Sequence, residues 1–184
     1  MITLQRGLLV ATTQSDNEIR GHISMTTSHN VLVTIQWKRL IREFTTHGQL
    51  MREINIDTKI NVPWQSIETS SGRIVVTDWD YKSKLHLLDS NGQTIKIYGV
   101  KSSGLYRKEL KSPYNFVINK FGNILICELT GYRIRVLNSN LVHVGDIDTK
   151  HYGMPMPGRI QLDESKGRLY VAIFNGGQVF VLGV

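Results

Sequence analysis

The chain has 184 residues and a mass of 20.9 kDa, which is the size of one domain with a sizeable core. Hydrophobic residues make up 41% and charged residues 20%, with no low-complexity tract, so a disordered or fibrous chain is excluded. The single cysteine, Cys127, excludes a disulfide framework and any cysteine-based zinc module, and the net charge of +7 is compatible with an anionic partner.

One pattern occurs four times along the chain, and its most regular part is a turn followed by an apolar run typical of a buried strand. The four copies read SHNVLVT (28–34), SGRIVVT (71–77), FGNILIC (121–127) and KGRLYVA (166–172). Their third residues are 43, 50 and 45 residues apart. A period of this length is typical of four-stranded propeller blades.

Each copy also predicts the same order of strands. A first strand of alternating apolar and polar residues (HISMTT, WQSIET, NFVINK, RIQLDE) precedes the turn, and a third strand (LIREF, KLHLLD, RIRVLN, QVFVL) follows the apolar run. A fourth strand follows in the first three copies, and helical periodicity is absent. The sequence therefore predicts an all-β fold, a single propeller domain over 1–184. Its four-stranded antiparallel blades are expected at 22–56, 64–99, 114–147 and 158–184.

Residues 1–21 are predicted to form an outer or closing strand plus a loop. Because the last copy ends after its third strand, residues 2–10 could pair there and close the ring, which would remove an exposed edge. Alternatively, residues 2–10 are the outer strand of a preceding blade, and the chain is a fragment of a larger ring. We favour the second interpretation.

The third copy, SPYNFVINKFGNILICELTGYRIRVLNSN (112–140), resembles an NHL repeat. Glu128 and Arg133 stand where that family has an Asp and an Arg, a pair expected to bridge the second and third strands of one blade. The second copy keeps Pro63 and Asp78 but has no matching Arg, and the first copy carries Ile35 in place of the acid. Since NHL propellers usually have six blades, the resemblance implies a partial ring.

The resemblance also implies a function. Many NHL propellers are the C-terminal recognition domains of TRIM-type ubiquitin ligases, in which a RING domain transfers ubiquitin and the propeller selects a protein or a structured RNA. No RING can be built from this chain, which has one cysteine, so we expect a non-catalytic recognition module rather than an enzyme.

One face of the predicted propeller concentrates positive charge. Its loops, which join second to third strands and successive blades, hold 12 Lys and Arg against 6 Asp and Glu, whereas the remainder holds 10 against 9. All three tryptophans lie on these loops, although Trp64, beside Pro63, is interpreted as a structural residue. The predicted binding residues are Trp37, Lys38, Arg39, Trp79, Tyr81, Lys82, Lys84, Tyr106, Arg107, Lys108 and Tyr132.

Aromatic rings among cations suit two kinds of partner. Unstacked RNA bases lie on such rings while Lys and Arg neutralise phosphates, and Trp, Tyr and Arg are also the favoured anchors of protein interfaces. We favour a protein partner, with single-stranded or structured RNA as the alternative. No cofactor, metal or small-molecule substrate is expected. No apolar run reaches the roughly 18 residues that span a bilayer, so we expect a cytoplasmic or nuclear protein without a membrane partner.

A metal-dependent hydrolase of the gluconolactonase type is a third hypothesis, because such propellers bind a divalent ion in their central channel. Glu68, Asn119 and Asp163 could be arranged as oxygen ligands, but each lies at the turn end of a strand, where polar residues are expected anyway. The run TDWD (77–80) also resembles the repeats of extracellular lipoprotein-receptor propellers, in one copy of four.

Overall fold

A computed structural model of the protein describes residues 21–80, 83–99 and 109–184. Within these ranges the chain forms four antiparallel sheets and no helix, and thus no helix of the length and apolarity that crossing a membrane requires. Consecutive strands pair in each sheet, which is the arrangement of a propeller blade. The predicted all-β, four-bladed architecture is confirmed.

Blade 1 consists of β1 (Gly21–Met25), β2 (Val31–Ile35), β3 (Leu40–Phe44) and β4 (Leu50–Asn55). Blade 2 consists of β5 (Pro63–Glu68), β6 (Ile74–Asp78), β7 (Lys84–Leu88) and β8 (Thr94–Tyr98). Blade 3 consists of β9 (Pro113–Ile118), β10 (Ile124–Glu128), β11 (Arg133–Leu137) and β12 (His143–Asp148). Blade 4 has three strands among the described residues: β13 (Pro157–Asp163), β14 (Arg168–Ile173) and β15 (Val179–Gly183).

The second strands of the blades are continuous apolar runs because both of their faces are covered. In β6, Ile74 and Val76 pack toward blade 1, whereas Val75 packs toward blade 3. All five residues of β6 are buried, and so are all five of β10. Successive side chains of a strand point to opposite faces, so an uninterrupted apolar run suits a strand between two neighbouring sheets.

The hydrophobic core is accordingly divided into layers between blades. The layer between blades 1 and 2 includes Leu32, Ile41 and Ile60, and all three side chains are fully buried. Corresponding layers lie between blades 2 and 3 and between blades 3 and 4, centred on Phe116 and Val171 respectively. This packing holds the innermost strands β1, β5, β9 and β13 side by side.

Buried amide side chains connect the innermost strands. The Gln65 Nε2 donates to the Phe116 carbonyl oxygen at 2.9 Å, and the Gln65 Oε1 accepts from the Phe116 backbone N–H at 3.0 Å. In the next blade, the Asn115 Oδ1 accepts from the Ile160 backbone N–H at 2.8 Å. Because an unpaired buried amide is costly, these bonds favour one register between neighbouring blades.

Residues 1–20 of the predicted closing segment, and so residues 2–10, lie outside the described residues, whereas Gly21 is the first residue of β1. Whether the chain is a fragment of a six-bladed ring stays a prediction.

Candidate interaction face

Four aromatic side chains from three blades meet on the face that carries the connections between second and third strands. Trp64 and Tyr114 follow Pro63 and Pro113 at the beginning of the innermost strands β5 and β9. Trp79 follows β6 and Phe174 follows β14, each at the beginning of the connection to the third strand. We call these four residues the aromatic cluster.

The cluster is contiguous. The ring centroids of Trp64 and Trp79 are 5.0 Å apart, and Tyr114 lies 5.9 Å from Trp64 and 6.1 Å from Trp79. Phe174 extends the cluster toward blade 4, with its ring 5.4 Å from that of Tyr114. These separations are within the range of favourable aromatic contacts, so the rings stabilise one another.

Blade 4 reaches the cluster by a different route from blades 2 and 3. Gly158 follows Pro157 at the position held by Trp64 and Tyr114, and a Cβ there would lie 3.2 Å from the Phe174 Cα, Cβ and N atoms. Glycine therefore leaves the space that the Phe174 backbone occupies. As a result, blade 4 also contributes an aromatic ring at this level.

The cluster is accessible to a partner. Trp79 is 41% exposed, and the other three rings are half-buried. Large aromatic side chains that are partly exposed and held in place by their neighbours are typical of the anchor residues of interfaces, because their ordering costs little entropy on binding. Sequence reasoning placed only Trp79 of these four among the predicted binding residues. The signal it missed is the Pro-aromatic pair, present at both 63–64 and 113–114.

Trp37 and Lys38 lie on the same face but outside the aromatic cluster. The Trp37 ring is 54% exposed, and the Lys38 Nζ lies 4.6 Å from its centroid in a cation–π contact. Arg39 adopts the left-handed conformation (φ 48°), and its N–H donates to the Gln36 carbonyl oxygen. These three residues lie, with Gln36, in the β2–β3 connection of blade 1.

The other described members of the predicted set are separate from one another. Tyr132 is half-buried, and the Lys150 Nζ lies 4.7 Å from its ring. The Lys84 Nζ is 3.8 Å from an Asp80 carboxylate oxygen, and its side chain is only 16% exposed. Lys84 is therefore committed to an ion pair, which lowers its value as a contact residue.

Five predicted binding residues lie outside the described residues: Tyr81, Lys82, Tyr106, Arg107 and Lys108. Five of the 12 loop cations counted from the sequence, including Arg20 near the beginning of the chain, also lie outside the described residues. The described loops of this face hold seven cations and four acids.

Glu128 and Arg133, the predicted structural pair, are joined across β10 and β11. The Arg133 Nε and Nη2 donate to one Glu128 carboxylate oxygen at 3.0 and 2.8 Å. Sequence reasoning missed a third member, Arg135, which is 1% exposed and whose Nε lies 3.1 Å from both Glu128 and Asp146. Burial raises the pKa of Glu128, and the two arginines oppose that change. Arg133 and Arg135 share one face of β11, so their spacing was the available signal.

A separate cavity of about 410 Å³ lies along the innermost strands of all four blades. Its lining includes His22, Gln65, Asn115 and Gln161, and it extends to Glu164 in the β13–β14 turn, on the face opposite the aromatic cluster. Burial, with the Arg159 charge as a second cause, lowers the pKa of His22. Gln65 and Asn115 are already hydrogen-bonded between blades, so they contribute little free binding capacity.

The residues considered as metal ligands have other partners. Glu68 accepts hydrogen bonds from Thr27, and Asn119 and Asp163 accept from backbone N–H groups of their own turns. Within the described ranges, no group of three or more His, Cys, Asp or Glu side chains is arranged to hold a metal ion.

Comparison by sequence finds no protein family and no curated protein that matches the chain. Comparison by structure finds propellers. A streptogramin B lyase shares 18% identity with a TM-score of 0.60, over 91% of this chain and 55% of that one. A virginiamycin B lyase from Staphylococcus aureus gives 16% and 0.59, over 92% and 57%. The structure of a nidogen/laminin complex gives 16% and 0.64, over 85% and 56%.

These likenesses establish the propeller fold. The chain spans little more than half the length of each of the three solved structures. Two of them are lyases and one is a complex of two proteins, so the fold is compatible with catalysis and with protein binding.

Proposed function

We propose that this chain is a non-catalytic recognition module that binds a partner protein through the face bearing the aromatic cluster. The observation that carries the proposal is the contiguous group of Trp64, Trp79, Tyr114 and Phe174, assembled from three blades and partly exposed. A surface of clustered, partly exposed aromatic residues has the composition of an interface centre.

In this proposal the propeller is of the NHL type and acts as the substrate-recognition part of a TRIM-like ubiquitin ligase, in the cytoplasm or the nucleus. The ion pair between Glu128 and Arg133 supports that assignment, since it joins the second and third strands of one blade as the resemblance implies. Any ligase activity would belong to a RING domain on another part of the polypeptide or on another protein.

Site-specific photocrosslinking in cells tests the proposal. The photoreactive residue p-benzoylphenylalanine replaces Trp79 in one variant and Phe121 in a control. Phe121 is a suitable control because it is 76% exposed, has the Lys120 Nζ 5.1 Å from its ring, and lies in a turn on the opposite face. Both variants thus present an exposed photoreactive ring, one on each face.

We expect a discrete protein adduct with the variant at position 79 and none with the variant at position 121, after ultraviolet irradiation and analysis by mass spectrometry. The same adducts from both variants, or none from position 79, would contradict recognition through this face. Adducts from position 79 that ribonuclease removes would favour RNA instead.

RNA recognition is the second candidate, and the observation that favours it is the pairing of cations with aromatic rings on the same face. Lys38 lies over Trp37 and Lys150 over Tyr132, at 4.6 and 4.7 Å. Anisotropy of labelled single-stranded RNA should then show binding that weakens steeply with salt, since phosphate neutralisation releases counterions.

A further inference from the structure

Two buried carboxylates lie beside the aromatic cluster, each opposite a proline. Asp78 pairs in register with Pro63, and Glu128 pairs with Pro113. Both acidic side chains are fully buried. Because proline has no N–H, it can donate no hydrogen bond to the neighbouring strand. The acids instead accept hydrogen bonds from the link that precedes each proline.

In blade 2 the carboxylate accepts two such bonds. The Asp78 Oδ1 accepts from the Val62 backbone N–H at 2.8 Å, and its Oδ2 accepts from that of Asn61 at 3.2 Å. The Trp79 N–H donates to the Val62 carbonyl oxygen at 2.8 Å. Trp79 is the next residue after the acid, and Trp64 is two residues beyond Val62. The bonded backbone therefore lies immediately before both rings.

Blade 3 repeats this arrangement with one bond to the acid. The Glu128 Oε2 accepts from the Lys111 backbone N–H at 3.3 Å. The Leu129 N–H, next along the chain from the acid, donates to the Ser112 carbonyl oxygen at 3.2 Å. Tyr114 is two residues beyond Ser112, so the bonded backbone again lies just before the ring of the first strand.

The acid occurs together with this ring rather than with the pairing of second and third strands, which is present in all four blades. Ile35 and Ile173 occupy the position of the acid in blades 1 and 4. Gly21 lies opposite Ile35, and in blade 4 Gly158 follows the proline. Neither of these blades places a ring where Trp64 and Tyr114 stand.

The ion pair to the third strand is not common to both acids. In register with Asp78 lies Lys84, whose Nζ is 3.8 Å from a carboxylate oxygen of Asp80 instead. Within the described ranges, no lysine or arginine forms an ion pair with Asp78. The His86 Nε2 lies 3.8 Å from Asp78, but the pKa of His86 is lowered to about 4, so the ring is neutral at pH 7. The feature that the two acids share is the bond to the link.

We propose that Asp78 and Glu128 are positioning residues of the aromatic cluster, because each buried carboxylate fixes the link before a proline and thereby sets the ring that follows. A buried N–H that loses its acceptor is costly, so without the carboxylate the link should move to find another partner. The inference rests on the proposed function for its consequence, which is that the acids determine partner binding without touching the partner.

Circular dichroism reports the position of the rings without a partner. The ring centroids of Trp64 and Trp79 are 5.0 Å apart and the rings are tilted by 42°, so their indole transitions should couple and give bands of opposite sign in the far ultraviolet. Trp64→Phe and Trp79→Phe should each abolish these coupled bands, whereas Trp37→Phe should leave them unchanged. Absence of the bands from the wild type would overturn the inference.

Asp78→Asn is the decisive variant, and Asp89→Asn is its matched control. Asp89 also accepts from two backbone N–H groups, both at 2.9 Å, in the β7–β8 turn on the opposite face of the same blade. We expect Asp78→Asn to weaken the coupled bands about twofold or more, because the amide NH₂ group cannot accept a hydrogen bond. Asp89→Asn should leave them unchanged. Bands of wild-type strength in Asp78→Asn, or equal weakening by both variants, would overturn the inference.

Urea unfolding establishes that each variant is folded. Should Asp78→Asn fail to fold, Asp78→Glu decides the question, because it keeps the charge and displaces the carboxylate by one methylene from the two N–H groups. Weakened bands in folded Asp78→Glu would support the inference, and bands of wild-type strength would overturn it.

Photocrosslinking then tests the consequence for binding. With the photoreactive residue at position 79, Asp78→Asn should lower the yield of the protein adduct about twofold or more, and Asp89→Asn should not. An unchanged yield alongside weakened coupled bands would overturn the role of the acid in binding. No adduct even without either substitution would contradict the proposed function, while circular dichroism would still decide whether the acid positions the rings.

Discussion

Equivalent positions in the third strands of blades 1, 2 and 3 hold Arg42, His86 and Arg135, which pair in register with Val33, Val76 and Ile126 respectively. His86 and Arg135 are buried because the preceding blade covers them, whereas 24% of the Arg42 side chain is exposed. The same position thus leaves an ionisable side chain partly exposed to water in one blade and encloses it in the protein interior in the other two. The electrostatic cost of the residue depends on that difference.

His86 predicts a loss of stability in mild acid. Its side chain is fully buried and neither ring nitrogen has a hydrogen-bond partner among the described residues. Burial first, and then the Lys84 charge, lowers the pKa of His86 to about 4. Between pH 6.5 and pH 4, His86 is therefore protonated in the unfolded chain but neutral in the folded chain. The free energy of unfolding should fall by about 3 kcal/mol over this range.

Urea denaturation at pH 7.0, 5.5 and 4.5 measures this loss, and His86→Leu should remove most of it. His47→Leu, at an exposed turn position, serves as the control. The pKa of Asp57 is lowered to about 2, chiefly by a hydrogen bond from the Lys59 backbone. The stabilisation that the ionised Asp57 provides is therefore lost only below about pH 4, outside the measured range. A His86→Leu profile that matches the wild type between pH 7.0 and 4.5 would contradict the assignment.

The two carboxylates that pair with Arg42 and Arg135 allow a matched comparison. Glu128→Gln should lower the free energy of unfolding by about 3 kcal/mol, because it leaves the buried Arg135 short of a counter-charge. Glu53→Gln should cost under about 1 kcal/mol, since Glu53 pairs with Arg42 at the surface, 2.6 Å away. Urea unfolding at pH 7 compares the two variants. Equal losses of stability would contradict the view that burial of Arg135 makes its ion pair the more important one.

The blades contribute to the interaction face through different elements. Blades 2 and 3 present Trp64 and Tyr114 at the beginning of the innermost strand, and blade 4 presents Phe174 from a connection. The turns between first and second strands are more uniform, since each has one residue with positive φ: His29, Gly72, Gly122 and Gly167. The positions of these turns can therefore be predicted from the local sequence. The contact of Phe174 with the aromatic cluster cannot, because it depends on residues from another blade.

Gly158→Ala tests the space that blade 4 leaves for Phe174. The added Cβ would lie 3.2 Å from two backbone atoms of Phe174, which cannot move aside as a flexible side chain would. Overpacking of this kind typically costs about 1–3 kcal/mol, and binding at the aromatic cluster should weaken with it. Thermal unfolding and the yield of the photocrosslinked adduct at position 79 measure the two effects.

Gly145→Ala is the control for that experiment. Gly145 lies within the strand β12, and an added Cβ there would meet no atom within 4 Å. It should be neutral or slightly stabilising, because alanine reduces the entropy of the unfolded chain. A larger loss of stability from Gly145→Ala than from Gly158→Ala would contradict the explanation based on space.

At the scale of the whole molecule, the inter-blade layers stop at two outer faces. On blade 1, Ile23 and Met25 are 62% and 56% exposed, and on blade 4, Val179 and Val181 are 63% and 54% exposed. Arg159 occupies the position from which Gln65 and Asn115 bond to the following blade, and its side chain is exposed. These are the faces that a further blade would cover in a larger ring, as the fragment hypothesis requires.

Exposed apolar sheet faces predict concentration-dependent self-association. The double variant Val179→Ser, Val181→Ser should shift the chain toward monomer, as measured by light scattering after size-exclusion chromatography. Val142→Ser, Val144→Ser removes two similarly exposed valines from the outer part of blade 3 and should leave association unchanged. Equal effects of the two double variants would place the association elsewhere on the surface.

The four-blade architecture and the strand order were predictable from the sequence alone. Apolar alternation, β-branched runs and turn residues act over a few neighbouring positions, so a repeat such as residues 121–127 carries its own strand and turn. The in-register positions of Glu128 and Arg133 follow from the same local order. Tertiary structure alone decided which side chains meet across blades. It brought Trp64, Tyr114 and Phe174 together, and it buried Arg135 while leaving Arg42 partly exposed, because burial and non-local contact depend on the neighbouring sheet rather than on the strand itself.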